Sequence, residues 1–277
     1  MDNTLFVSDL DGTLLNSNKK ITDKSIKIIN ECIEKGMNFT VATARMPYGC
    51  DYMLKDINLK TLGILMNGVI LYDFSQEKIV VSDSIEKNTV KNIIDIFTNN
   101  NLSCFVYLLK NDGINIYYDN EELEKQTQYY SEKALKKCKE VRKIESYDEI
   151  LNDGEVIYIT YTGNKEDLDP ICEQLNNLSN VDYSFYLNIY NDLYCLEVFS
   201  KTASKKNAIL KLKDMKGYDK IVVFGDNIND LSMMEIADES YAPENALPEV
   251  KQKVNKVLQD CNNDGVANFL AEQWNIN

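Results

Sequence analysis

A chain of 277 residues, 44% hydrophobic and 27% charged, is long enough for one large domain or two ordinary ones, each with a real core. Its formal net charge of −14 argues against nucleic acid and anionic membrane surfaces as partners, and no apolar run approaches the length of a bilayer span. Histidine is absent, which removes Ser-His and Cys-His nucleophile pairs and His-ligated zinc, leaving acid–base work to carboxylates, Lys, Tyr, Cys or metal-bound water.

Residues 1–4 lead straight into a strand, with no basic-then-apolar leader. The seven cysteines (32, 50, 104, 138, 172, 195 and 261) are scattered and form no Cys-x-x-Cys pair, so packed thiols in a reducing cytoplasm are expected. The apolar run from Leu5 to Ser8 reads as a buried strand that stops at two carboxylates, Asp9 and Asp11. Side chains two apart share a face while the backbone stays extended, and Gly12 then permits a sharp turn that Thr13 can help to hold. Two adjacent anions repel unless a cation or a proton lies between them, so the pair suggests a metal site, a shared proton, or both. A plain strand-to-turn junction ending in Asp-Gly has the same local sequence.

Thr22 opens a predicted helix with Ile26, Ile29 and Ile33 at helical spacing and a stop at Lys35-Gly36. A strand over Met37 to Ala42 ends at Thr43-Ala44-Arg45, a short helix covers Tyr48 to Leu54, and a strand over Leu62 to Met66 ends at Asn67-Gly68. Near-continuous apolar strands alternating with helices predict a parallel sheet covered on both faces. The middle differs. A helix (Glu86 to Thr98), a hairpin (Cys104 to Leu109, Ile114 to Tyr118) and a polar helical stretch (Glu121 to Lys139) lead to a strand (Val156 to Tyr161). A helix (Lys165 to Leu178) and a strand pair (Tyr183 to Val198) complete an α+β pattern. The first grammar then returns: a helix over Ala203 to Leu212, a strand over Lys220 to Phe224 ending at Gly225-Asp226, and a helix over about Ile228 to Ala237. A short strand near Tyr241 and a closing helix after Gly265 follow. The expected fold is α/β, a Rossmann-like parallel-sheet core in two segments (1–82 and 196–277) with an inserted α+β cap (83–195).

Ligands of open parallel sheets sit beyond the carboxyl ends of the strands. Collected there are Asp9, Asp11, Thr43, Asn67 and the run Gly225-Asp226-Asn227-Ile228-Asn229-Asp230. Asp226 follows its strand, and Asn229 and Asp230 fall in the first turn of the next helix, where they can converge on a ligand or simply cap that helix. Asp9, Asp11, Asp226 and Asp230 cannot gather at one place unless something offsets them, and a hard divalent cation, Mg²⁺ beside phosphate, is the natural answer. Lys205, where a helix begins after the inserted region, is the candidate to neutralise more of that charge, although Lys205 and Lys206 also read as solvated surface residues.

Taken together, Asp9-Leu10-Asp11-Gly12-Thr13, Thr43-Ala44-Arg45, Asn67-Gly68, Ser204-Lys205 and Gly225 to Asp230 resemble, in type and order, the motifs of the haloacid dehalogenase-like superfamily. The chain is most similar to its Cof-type (IIB) phosphatases, with a large cap between the second and third motifs. The resemblance implies Asp9 as nucleophile, forming an aspartyl-phosphate, and Asp11 as acid for the leaving alcohol and then base for water. It implies Mg²⁺ on the Asp9 carboxylate, the Asp11 main-chain carbonyl and Asp226, with Asp230 mostly behind them. Leu10 and Ala44 through their backbones, with Thr43, Lys205 and Asn229, would bind the phosphoryl group. Three features depart from or extend the pattern: Lys206 replaces a usual Gly, Tyr241 to Ala246 matches a family segment only loosely, and Arg45 occupies a common position without an assigned partner.

Twelve of the seventeen tyrosines (107, 117, 118, 129, 130, 147, 158, 161, 183, 186, 190 and 194) fall in the middle region. They could present rings to a sugar or heterocycle, but Tyr also favours half-buried strand faces, and that simpler reading is preferred. The expectation is a cytoplasmic, Mg²⁺-dependent phosphatase, a monomer or weak homodimer, acting on small phosphate esters, sugar phosphates first among them. A phosphomutase passing the same aspartyl-phosphate to a sugar, or a non-catalytic phospholigand-binding protein of the same fold, are the alternatives.

Overall fold

The computed structural model describes residues 3–111, 113–127, 137–188 and 192–276. Its contacts divide the chain into two units, Met1–Val81 with Ser204–Asn277, and Ser82–Ala203.

The first unit is built on strands β1 (Thr4–Ser8), β2 (Asn38–Val41), β12 (Lys220–Phe224), β13 (Glu239–Pro243) and β14 (Lys256–Leu258), ordered β14-β13-β12-β1-β2 and parallel throughout. A parallel bridge between Ala42 and Ile64 links β2 to β3 (Gly63–Leu65), which pairs antiparallel with β4 (Ile70–Asp73), and β5 (Lys78–Ser82) lies beyond β4. In β1, Leu5 and Val7 join one apolar cluster with Ile209, Leu212, Val223 and Met233, while Phe6 meets Trp274 edge-on at 6.5 Å. Both sheet faces are therefore covered, as continuous apolar strands require. Each fully buried Leu, Ile or Val contributes roughly 1.5–3 kcal/mol of transfer free energy.

Helix α1 (Asp23–Glu34) starts where the Thr22 hydroxyl accepts the Ser25 N–H at 3.0 Å, and it ends at Lys35 before Gly36 at φ +102°. Helix α2 (Pro47–Leu54) is short. The helix expected over 228–237 is only a 3₁₀ turn, Ile228–Asp230, followed by one helical turn, Leu231–Met234, because Asp230 spends its side chain on the backbone of its own loop.

The second unit holds six strands: β6 (Phe105–Lys110), β7 (Gly113–Tyr118), β8 (Glu140–Lys143), β9 (Glu155–Gly163), β10 (Val181–Asn188) and β11 (Leu193–Ser200). They form one sheet ordered β10-β11-β9-β6-β7-β8. All pairs are antiparallel except β7 with β8. Helices α3 (Lys87–Asn99) and α5 (Lys165–Leu175) pack on it, with Phe97 against the Tyr161 ring. Of the expected helix over 121–139, α4 (Glu121–Gln126) is seen, and residues 128–136 lie outside the described residues. The sequence boundary at 195 falls inside β11, which stays paired to β9 up to Val198 and runs to Ser200, so the unit ends at Ala203.

Six tyrosines of this unit (107, 117, 118, 147, 158 and 161) are buried, and Tyr158 stacks on Phe199 at 5.6 Å. Tyr186 is exposed, Tyr183 and Tyr194 are half-buried, and Tyr129, Tyr130 and Tyr190 lie outside the described residues. Core packing accounts for six of the nine described tyrosines of the set. No disulfide links the described residues, six of the seven cysteines are buried, and no described helix is long and apolar enough to cross a membrane.

Candidate active site

Strand register assembles the site. Ser8 pairs with Phe224 on one side and with Val41 on the other, so Asp9, Gly225-Asp226 and Ala42-Thr43 are the next residues out at the same sheet end. The Asp9 N–H donates to the Phe224 carbonyl at 2.9 Å, which holds Asp9 level with the second acidic run although more than two hundred residues separate them. All of the candidate site residues, from Asp9 to Asp230, belong to the first unit.

Lys205 ties the cluster together. It is the first residue of helix α6 (Lys205–Lys216), whose N-cap, Ser204, accepts the Asn207 N–H at 3.0 Å. Its side chain is 1% exposed and its Nζ donates to Asp9 Oδ1 and Asp230 Oδ1, each at 2.6 Å. The surface reading of Lys205 is therefore wrong, because the helix start is drawn inward. Gly68, at φ +98°, makes that possible: a Cβ there would meet the Ser204 carbonyl oxygen. Lys206 instead points outward to Glu235 at 3.3 Å.

Asp230 is fully buried, and its other oxygen accepts the N–H groups of Asp226 (2.9 Å) and Asn227 (3.1 Å). Asp226 Oδ1 accepts the Thr13 hydroxyl at 2.7 Å. Gly12, at φ +79°, passes so close that a Cβ would strike the Asp226 carboxylate, and its carbonyl accepts Asn245 Nδ2 at 2.7 Å. Thr13 and Asn245 thus support the site. In sequence Thr13 signals only a turn, and Asn245 lies in the loosely matching segment, so neither role is visible there.

Carboxylate oxygens of Asp9, Asp226 and Asp230 lie within 4.8 Å of one another. Three carboxylates against one ammonium leave two excess negative charges in a buried place. The electrostatics register this: burial first, then Asp230 and Asp226, raise the Asp9 carboxyl well above its usual range against the pull of Lys205. Burial and Asp230 push Asp226 up to about 6, while Thr13 and Lys205 oppose the shift. Burial alone would lower the Lys205 ammonium, but Asp230 and Asp9 hold it above its ordinary value. Oxygen donors carrying an excess of two negative charges fit a hard divalent cation.

The Asp11 side chain stands apart from that group. It is 45% exposed and grips Arg45, which donates Nε to Oδ2 and Nη2 to Oδ1, both at 2.6 Å. Thr43 is buried, with its hydroxyl accepting the Arg45 N–H at 3.2 Å; Ala44 is half-buried and Leu10 fully buried. Asn67 is buried beside them, its N–H donating to the Thr43 carbonyl at 3.0 Å. Asn229 is exposed in the 3₁₀ turn, and no hydrogen bond among the described residues joins its side chain to Asp9, Lys205 or Asp226.

Known proteins are similar to this chain over nearly its whole length. A Bacillus subtilis 5-amino-6-(5-phospho-D-ribitylamino)uracil phosphatase is 26% identical, covering 95% of this chain and 96% of that protein. The pyridoxal phosphate phosphatase of Escherichia coli is 22% identical over 98% of each chain. Among solved structures, a Thermotoga maritima protein matches with a TM-score of 0.75 and 26% identity over 97% of this chain and 96% of that one. A subclass IIB sugar phosphatase matches in fold with a TM-score of 0.75 at 21% identity, over 99% and 100% of the two chains. The family model described as haloacid dehalogenase-like hydrolase matches residues 6–270, and the chain belongs to that family.

Proposed function

We propose that this chain, a phosphatase of the haloacid dehalogenase-like family, hydrolyses small phosphorylated metabolites, sugar phosphates first among them, through an aspartyl-phosphate on Asp9 with Mg²⁺ as cofactor. The observation that carries the reading is the buried Lys205 bridging Asp9 and Asp230 beside Asp226 at the carboxyl ends of β1 and β12. It supplies a nucleophilic carboxylate, a fixed cation and room for a divalent ion's charge in one place.

Asp9 attacks phosphorus as the bond to the leaving oxygen breaks, and that oxygen takes the Asp11 proton. Water then attacks the acyl phosphate, giving its proton to Asp11 and releasing phosphate with Asp9 regenerated. The Asp9 carboxylate, the Asp11 main-chain carbonyl and Asp226 would hold Mg²⁺, which when bound offsets charge on the phosphoryl oxygens. Asp230, its oxygens engaged by Lys205 and two backbone N–H groups, fixes the lysine and the Asp226 loop. Thr43, Lys205, Asn229 and the backbones of Leu10 and Ala44 bind the phosphoryl group. The named relatives act on a ribityl phosphate and on pyridoxal phosphate, which supports small phosphate monoesters as the class.

The test is phosphate release from p-nitrophenyl phosphate and a panel of sugar phosphates, with and without Mg²⁺. Asp9→Asn should lower turnover by about 10³-fold or more. Full turnover in Asp9→Asn, or rates indifferent to a chelator, would defeat the mechanism. Isomer formation without phosphate release would mark a phosphomutase instead.

A further inference from the structure

We propose that Arg45 is a positioning residue for Asp11: its guanidinium fork sets the plane of the carboxyl that exchanges protons with the leaving group. The inference rests on the phosphatase reading above and assigns Arg45 a role in it.

Asp11 follows β1 just ahead of the Gly12 turn and is 45% exposed, so without a partner its carboxyl would sample several rotamers. A proton-transfer group must lie within hydrogen-bond reach of its target, and misplacement by about 1 Å can cost on the order of 10²-fold in rate. Arg45 removes that freedom. Two parallel N–H···O contacts, both 2.6 Å, fix the carboxyl in distance and in plane, which a single-point ammonium cannot do. Each carboxyl oxygen has a second lone pair, so one of them can carry the proton that passes to the leaving oxygen while the fork stays in place.

The fork is itself anchored. The Arg45 N–H donates to the Thr43 hydroxyl at 3.2 Å, and the Arg45 carbonyl accepts the Met66 N–H at 3.1 Å. Its side chain is 23% exposed, against 45% for Asp11. The loop that presents Thr43 and Ala44 to the phosphoryl group thus also orients the acid. A direct contact between Arg45 and substrate phosphate is the competing assignment, and it leaves a different kinetic trace.

The experiment compares Arg45→Ala and Arg45→Lys with the wild type, each alone and in an Asp11→Asn background. Substrates are an alkyl phosphate, whose leaving oxygen needs a proton, and p-nitrophenyl phosphate, whose phenolate departs without one. For the alkyl phosphate, Arg45→Ala should lower kcat/KM by about 10²-fold through kcat, with KM nearly unchanged. With p-nitrophenyl phosphate the loss in kcat/KM should be only a few-fold. Arg45→Lys should recover little, added guanidinium should partly rescue Arg45→Ala, and in Asp11→Asn the second substitution should have almost no further effect. Equal losses on both substrates, a change confined to KM, or full additivity with Asp11→Asn would overturn the proposal. A wild type that hydrolyses neither substrate would count against the phosphatase reading instead, and the melting temperature of each variant separates misfolding from misplacement.

Discussion

Lys205 neutralises only one of the three carboxylates around it, and the excess makes the metal-free cluster sensitive to pH. Asp226 titrates at about 6 in the folded chain against an ordinary 3.8, chiefly through burial. Below the ordinary value the carboxyl is protonated whether or not the chain is folded. Between 3.8 and about 6 the folded chain keeps a proton that the unfolded chain has released. Stability from this group is thus full at low pH and is lost as pH rises through the folded value. Metal-free Asp226→Asn should therefore melt above the wild type at pH 7, with the gap closing as pH falls toward the ordinary carboxylate range. Added Mg²⁺ should raise the melting temperature of the wild type and leave the variant nearly unmoved. Thermal scans across pH with and without Mg²⁺ check both, and a gap that ignores pH would contradict the burial argument. That Asp9 would meet Asp226 and Asp230 was legible because carboxylates at strand ends need an explanation, whereas the turn of the Asp11 side chain toward Arg45 was not. The environment of Lys205 was not, since a Lys-Lys pair opening a polar helix looks solvated until the close approach at Gly68 is seen.

Helix α6 reaches the site because Gly68 lets two backbones touch, and the consequence can be tested. Gly68→Ala adds a Cβ at φ +98° and drives it against the Ser204 carbonyl. The variant should lose about 1–3 kcal/mol of stability, from the positive φ and the displaced helix start. Because Lys205 moves with Ser204, kcat should fall more than stability alone predicts, when read well below the melting temperature. Urea denaturation with steady-state kinetics separates the two effects. Elements with a clear apolar period, such as β1, α1 and β12, were readable from sequence. Strand β8 (Glu-Val-Arg-Lys) was not, because it is a polar edge strand whose charges discourage pairing beyond it. Strand β14 has three residues and β5 has five with none buried, so neither carries enough pattern to separate it from a loop. The shortening of the helix expected over 228–237 has a different cause: Asp230 binds backbone N–H groups of its own loop, and a carboxylate so used marks a turn.

The parallel order β14-β13-β12-β1-β2 brings the two ends of the sequence together, so the site exists only when both segments of the first unit fold as one. That both ends share one parallel core was readable because strands and helices alternate at both ends and the α+β pattern interrupts them once; the strand order was not. Electrostatics at this scale works against the substrate. The chain carries −14, whereas the cluster with one divalent ion is close to neutral and Arg45 balances Asp11, so the field a phosphate ester meets at a distance is that of the whole surface. Like charges at long range slow encounter, and salt screens them over a Debye length of about 10 Å at 0.1 M. With free Mg²⁺ held saturating, kcat/KM for a dianionic phosphate ester should rise about two- to threefold between low and physiological ionic strength. An enzyme that steers its anionic substrate behaves in the opposite way. A neutral viscogen control identifies the diffusive part, and kcat should stay flat because the bound substrate no longer meets the long-range field. A fall in kcat/KM with salt would mean that a local positive potential outweighs the surface, and would locate the recognition energy in cations other than Lys205 and Arg45.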